Sequence, residues 1–144
     1  MPLRDVELDV ATLLEAAGLG SMSSNPPTLY AGPFPASAPE ILISCLSSGG
    51  ETPEDYLAGT SRAYFRPEVT VRVRGPREKY RATLQRALDA WEALYGVQTP
   101  EYVLVKAQGA GPAYLGPDEN GRHRFSFTVQ LAYTALVVPR MVVS

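Results

Sequence analysis

The chain offers few side chains that could act as a nucleophile or a general base. It contains one cysteine, Cys45, and one histidine, His123. Catalysis by a thiol requires a base beside the cysteine. Cys45 lies in the apolar run of residues 41–46, which favours a small residue buried in the core. His123 lies between Arg122 and Arg124, a position typical of a solvated turn residue, so the sequence predicts no catalytic site.

The acidic residues Glu51, Glu54 and Asp55 follow Gly49-Gly50 and are the next candidates for a site. Calcium loops need a denser pattern of oxygen ligands, and zinc sites are built mainly from Cys and His. The glycine pair also lacks the Lys and the Ser or Thr that follow in a phosphate-binding loop. The sequence therefore predicts a protein that is not an enzyme and has neither a metal site nor a cofactor.

One charge pattern suggests a surface for self-association. Arg72 and Arg74 lie two residues apart, so they stand side by side on the polar face of a predicted strand. We interpret them, together with the acids Glu51, Glu54 and Asp55 of a neighbouring copy, as candidate subunit-interface residues. Such complementary charges fix the register between subunits, and a ring closes only through unlike patches on one chain. A solvated sheet face is the alternative interpretation.

Length and charge limit the classes of protein to which the chain can belong. Its 144 residues suit a single domain, 1–144, with one core. The 13 basic and 15 acidic residues leave a net charge of −2, which provides no positive field to hold a phosphate backbone. No apolar run reaches the roughly 18 residues of a membrane span. The first five residues lack the apolar core of a signal peptide. We therefore expect a cytosolic chain with no membrane partner and no specific nucleic acid binding.

Two helices are predicted from apolar residues at helical spacing. Asp5 can cap the first, and Gly18 can provide its left-handed stop. Pro76 is a favoured first residue for the second, which is predicted to end at Gly96. The apolar stripe of this second helix comprises Tyr80, Leu84, Ala87, Leu88, Trp91, Leu94 and Tyr95.

Strands are predicted at residues 41–46, 69–74, 102–106 and 125–131 because apolar runs or period-two alternation occur there. Short strands joined by turns pair as hairpins, so the fold class is α+β, a mostly antiparallel β-sheet packed with two α-helices. Gly and Pro, 12 and 13 in number, concentrate in residues 18–40 and 47–67. We interpret these segments as long loops that become ordered on assembly; the alternative is that they pack over the sheet.

The order of these elements resembles that of tailed-phage tail terminator and minor capsid proteins. The residues that carry the resemblance are the helix ending LLEAAGLG at 13–20, the strand LYAGPFP at 29–35, the strand ending VRVRG at 71–75 and the helix segment YRA at 80–82. Between them, the apolar strand that leads to Gly49-Gly50 matches the same family. The resemblance covers roughly residues 10–95.

The resemblance implies a structural virion protein that caps the tail tube and forms the surface that joins the head. Members of the family form rings, usually hexameric, so the resemblance implies a homohexamer that contacts the tail tube protein and the head–tail connector protein. Such a protein is assembled in the host cytoplasm and is located in the virion, at the interface between tail and head. A head–tail connector or neck component is the alternative within the same setting. Two further alternatives for the function are a small enzyme and a host-side binding adaptor with the same fold.

Overall fold

The computed structural model describes residues 3–55 and 62–136, which form one α+β domain. Its elements are α1 (Val6–Ala16), β1 (Leu29–Ala31), β2 (Leu42–Asp55), β3 (Arg62–Gly75), α2 (Tyr80–Ala93), β4 (Tyr95–Val97), β5 (Leu104–Ala107), β6 (Ala113–Pro117) and β7 (His123–Leu136). The strands build one sheet in the order β1-β2-β3-β7-β5-β4, with β6 also paired to β7. Every pair is antiparallel except β1 with β2. The predicted fold class is confirmed.

The first helix begins and ends as its sequence predicts. The Asp5 carboxylate accepts a hydrogen bond from the backbone N–H of Leu8 at 3.2 Å, which satisfies one of the free donors of the first turn. Gly18 adopts a φ of +80°, and its N–H bonds back to the carbonyl of Glu15. Val10 and Leu14 are fully buried, so this helix covers one face of the sheet.

The core lies between the two helices and the face of the sheet formed chiefly by β3 and β7. These strands pair continuously from Glu68 to Gly75, with Val71 opposite Phe127 and Val73 opposite Phe125. Side chains alternate between the two faces of a strand. The predicted inward rows are confirmed, and their members are buried: Val69, Val71, Val73, Phe125, Phe127, Val129 and Leu131.

The second helix begins later than predicted. Pro76 opens a turn, in which the N–H of Lys79 bonds to the Pro76 carbonyl, and the helix starts at Tyr80. Its buried face consists of the small residues Thr83, Ala87 and Ala90, whereas Leu88 from the predicted stripe is exposed. The reason is the close approach of the helix to β3. A Cβ added to Gly75 would collide with Oγ1 of Thr83, so only small side chains fit between the two elements.

The prediction of a long loop at residues 47–67 is wrong. Strand β2 continues to Asp55, and β3 begins at Arg62, so most of this segment is a β-hairpin. The register is irregular between Ser47 and Gly49 and between Glu51 and Glu54, and the two strands remain paired on both sides of each irregularity. Residues 56–61 lie outside the described part of the chain. The glycine pair is therefore part of the ladder, and Gly50 is opposite Pro67.

Segment 18–40 is largely irregular, as predicted, apart from β1. Its second half packs over the sheet: Arg74 of β3 donates hydrogen bonds to the carbonyls of Pro39 and Glu40. Arg74 follows the buried Val73 in its strand, so this contact lies on the face opposite the helices.

Among the described residues, no helix is long and apolar enough to cross a bilayer.

Candidate functional site

Arg72 is the exposed member of the predicted arginine pair. It lies on β3, in register with Ser44 of β2 and Ser126 of β7, on the face of the sheet that the helices leave free. Thr70 and Thr128 come next along the same two strands and are half-buried. Ser44 itself is fully buried, whereas Arg72 presents an accessible guanidinium on this face.

Arg74 lies on the same face, but it is only 8% exposed. Its Nη2 donates to the carbonyl of Pro39 at 2.7 Å, its Nε donates to that of Glu40 at 3.2 Å, and its guanidinium lies over the ring of Phe34. Burial lowers the pKa of the Arg74 guanidinium, and repulsion from Arg122 lowers it further. Arginine nevertheless stays charged, so Arg74 contributes positive potential while two of its donors are used within the chain.

The predicted acids are brought together by an arginine that the sequence analysis did not assign to them. One Nη of Arg66 lies 2.7 Å from a carboxylate oxygen of Glu51 and 2.8 Å from one of Glu54. These two side chains remain 51% and 64% exposed. Two carboxylates share one guanidinium, so a net negative charge remains. We call this part of the β2–β3 hairpin, containing Glu51, Glu54 and Arg66, the acidic arm.

Asp55, the third predicted acid, is the last residue of β2 and pairs through its backbone with Ala63. Its side chain lies outside the described part of the structure. The cross-strand position of Arg66 opposite Glu51 is the signal that could have identified the partner of the acids. That signal becomes readable only when residues 47–67 are recognised as a hairpin instead of a loop.

The acidic arm and the two arginines lie far apart within one chain. Glu54 pairs with Tyr64, and Arg74 lies ten residues further along the same strand. At about 3.3 Å per residue this separates Glu54 from Arg74 by roughly 33 Å, and Glu51, which is opposite Arg66, from Arg72 by roughly 20 Å. Charges of opposite sign therefore lie near opposite ends of the β2–β3 hairpin, and they can meet only between different copies of the chain.

Cys45 and His123 do not form a catalytic pair. Cys45 is fully buried, and this burial raises the pKa of its thiol to about 12, so the thiolate is not formed at neutral pH. His123 is the first residue of β7 and is opposite Gly75 of β3. Cys45 lies in β2 and is opposite Val71 of β3. The two residues thus lie on different strands and at different levels of the sheet.

The imidazole of His123 is held by two hydrogen bonds. Nε2 lies 2.8 Å from the carbonyl of Arg77, and Nδ1 lies 2.9 Å from the hydroxyl of Tyr114. The expectation of a turn residue is wrong, because His123 is the first residue of β7; its side chain is half-buried and packs edge-on against Tyr80. Within residues 3–55 and 62–136, no group of three His, Cys, Asp or Glu side chains is arranged to hold a metal ion.

Comparison with known proteins identifies the family. Residues 13–135 match the family model described as bacteriophage tail terminator protein. A search of curated protein sequences found no match. The matched range includes α1 from Leu13 onwards, all of α2, the whole β2–β3 hairpin and nearly all of β7. Because the match extends over most of the chain, the protein belongs to the bacteriophage tail terminator family, whose members are structural, non-enzymatic components of the phage tail.

Proposed function

We propose that this protein assembles as a homohexameric ring that caps the tail tube and forms the surface to which the head connector binds. The observation that carries the proposal is the family match over residues 13–135. The ring, its stoichiometry and the contact with the head connector go beyond that match. The charge distribution on the β2–β3 hairpin supports a ring, because a cyclic oligomer needs two unlike surfaces on each copy, and the stoichiometry and the head connector come from the resemblance to the family.

The proposed subunit interface uses the acidic residues Glu51, Glu54 and Asp55 of one copy and the arginine face of the next. Arg72 is the direct contact in this proposal, since its side chain is exposed. Arg74 contributes mainly through its charge, because its donors bind Pro39 and Glu40. Charge pairs of this kind determine register and the rate of encounter more than affinity.

The experiment that tests the function combines solution mass and electron microscopy. Light scattering of the purified protein should find a species near six times 15.6 kDa. Tail tubes assembled without the protein should acquire a ring at one end when the protein is added, and only the capped tails should join to heads. Binding to the head connector with no binding to tubes would contradict the proposal and favour the neck component instead.

A further inference from the structure

A pocket with an excess of positive charge lies where α2 meets the end of β3. It has a volume of about 360 Å³ and is lined by Leu19, Ile41, Arg74, Lys79, Arg86 and Asp89, among others. Lys79 and Arg86 thus provide two cations against the one carboxylate of Asp89, since the guanidinium of Arg74 lies over Phe34 on the opposite face of the sheet. Ile41 is 46% exposed at its rim, so the pocket also offers apolar contact to whatever enters it. We call this site the basic pocket.

Lys79 and Arg86 form no close ion pair within the described part of the chain, although Asp89 lies near enough to Arg86 to attract it. Neither Lys79 nor Arg86 is within 4.0 Å of a carboxylate there, whereas Asp89 accepts a hydrogen bond from Gln85. Arg86 donates to the carbonyl of Leu19, but its Nε is buried and has no hydrogen-bond partner among the described residues. A buried donor without a partner is costly, so the guanidinium of Arg86 is not fully satisfied by the bond to Leu19.

The basic pocket lies at the opposite end of the β2–β3 hairpin from the acidic arm. Arg74 and Gly75 line the pocket, whereas Glu54 is paired with Tyr64, roughly 33 Å away along β3. The two sites cannot meet within one chain. They are complementary in charge, since the acidic arm carries two exposed carboxylates for one guanidinium. Contact between the arm of one copy and the pocket of the next is head-to-tail, which is the contact that generates rings.

We propose that the basic pocket receives the acidic arm of a neighbouring copy, with Glu54 entering towards Lys79 and Arg86. This inference rests on the proposed ring and specifies which surfaces form it. It adds Lys79 and Arg86 to the interface, neither of which was among the candidates from the sequence. Glu54 is the contact residue because it is the more exposed of the two acids that share Arg66.

Charge reversal at both sites tests the contact. Lys79→Glu and Glu54→Lys should each raise the dissociation constant of the oligomer by about tenfold or more, because a close attraction becomes a repulsion. The double variant Lys79→Glu, Glu54→Lys should recover most of the wild-type assembly. Lys79 precedes the first residue of α2, where an acidic residue favours the helix, so this variant should stay folded, which circular dichroism checks.

Arg81→Glu is the matched control, since Arg81 is an exposed residue of the same helix, does not line the basic pocket, and undergoes the same change of charge. It should assemble as the wild type does. If the wild type forms rings and both single variants form them equally well, the pocket contact is excluded while the tail terminator function stands. Single variants that dissociate without recovery in the double variant also exclude this pairing.

Two further outcomes separate this inference from the proposed function. A Lys79→Glu protein that forms rings but fails to cap tail tubes would assign the pocket to the tube protein and overturn the self-association. A wild-type protein that stays monomeric, alone and in the presence of tubes, would contradict the ring itself. Analytical ultracentrifugation over a concentration series, together with electron microscopy of tubes, distinguishes these results.

Discussion

The guanidinium of Arg74 lies over the ring of Phe34, 4.8 Å from its centroid. This contact joins the proline-rich segment before β2 to the centre of the sheet, and two hydrogen bonds to backbone carbonyls accompany it. Arg72, two residues earlier on the same face, has no such cover and is exposed. Two arginines that look equivalent in sequence therefore have different roles.

The two arginines should differ in their contribution to stability. Arg74→Ala should lower the free energy of unfolding by about 2–3 kcal/mol, because it removes the hydrogen bonds to Pro39 and Glu40 together with the contact to Phe34. Arg72→Ala should change it by less than about 0.5 kcal/mol, as is usual for exposed positions. Urea melts of both variants measure the difference. Equal costs would mean that the proline-rich segment does not depend on Arg74.

Arg72 should instead matter for assembly. Arg72→Glu should weaken the ring without unfolding the subunit, since its exposed side chain belongs to the proposed interface with Glu51, Glu54 and Asp55. Multi-angle light scattering measures the oligomer, and circular dichroism checks the fold. Glu119→Lys, an exposed charge change in the turn before β7, provides a comparison. An Arg72→Glu protein as oligomeric as the wild type would remove this residue from the interface.

The close approach of α2 to β3 should make Gly75 intolerant of any side chain. Gly75→Ala should cost about 1–3 kcal/mol, because the new methyl group collides with Thr83. Thr83→Ala in the same chain should recover part of this cost by removing the colliding hydroxyl and methyl groups. A double-mutant cycle in urea measures the coupling. Independent, additive effects of the two substitutions would show that the helix does not rest on Gly75.

The turn before β7 should weaken at low pH. Burial raises the pKa of Asp118, but hydrogen bonds from the backbone N–H groups of Arg122 and Asn120 and from the Arg122 guanidinium outweigh it, so the net pKa is lowered. A carboxylate with a lowered folded-state pKa stabilises the fold above its unfolded pKa, and this contribution is lost as the pH falls through the folded value.

Asp118→Asn should therefore be less stable than the wild type at pH 7. The difference should shrink as the pH is lowered below about 4, where the wild-type carboxyl also becomes neutral. Thermal or urea melts across this range test the pH dependence, with Glu119→Gln as the control for loss of an exposed charge. A difference that is constant with pH would mean that the Asp118 carboxylate is not stabilised by its hydrogen bonds.

The extended hairpin should protect backbone amides in the isolated protein. Residues 49–51 of β2 pair with residues 66–68 of β3, so the amide hydrogens of this part of the hairpin should exchange more slowly than those of the turn at 109–112, which lies outside any strand. Hydrogen–deuterium exchange measured by mass spectrometry resolves these peptides. Exchange as fast at residues 49–51 as in the turn would favour the loop predicted from the sequence.

Local patterns in the sequence determined much of the fold. The alternation of Val69, Val71 and Val73 defines which face of β3 is buried, because side chains on a strand point alternately to its two sides. Asp5 caps the first helix, and Gly18 adopts the left-handed conformation after it. Each of these features depends on residues within one turn or one strand, so each is readable without knowledge of the rest of the chain.

Only the tertiary structure decided which parts of the chain lie together. Gly49, Gly50 and Pro67 predict a break in regular structure, yet pairing across the hairpin keeps them in strands because the irregular register accommodates them. The sequence places Arg72 and Arg74 on one face but does not reveal that segment 32–40 covers only the second. Lys79 and Arg86 come to line one pocket with the end of β3 only when α2 packs against that strand. Contacts between segments distant in sequence determine burial and charge environment, and no local pattern encodes them.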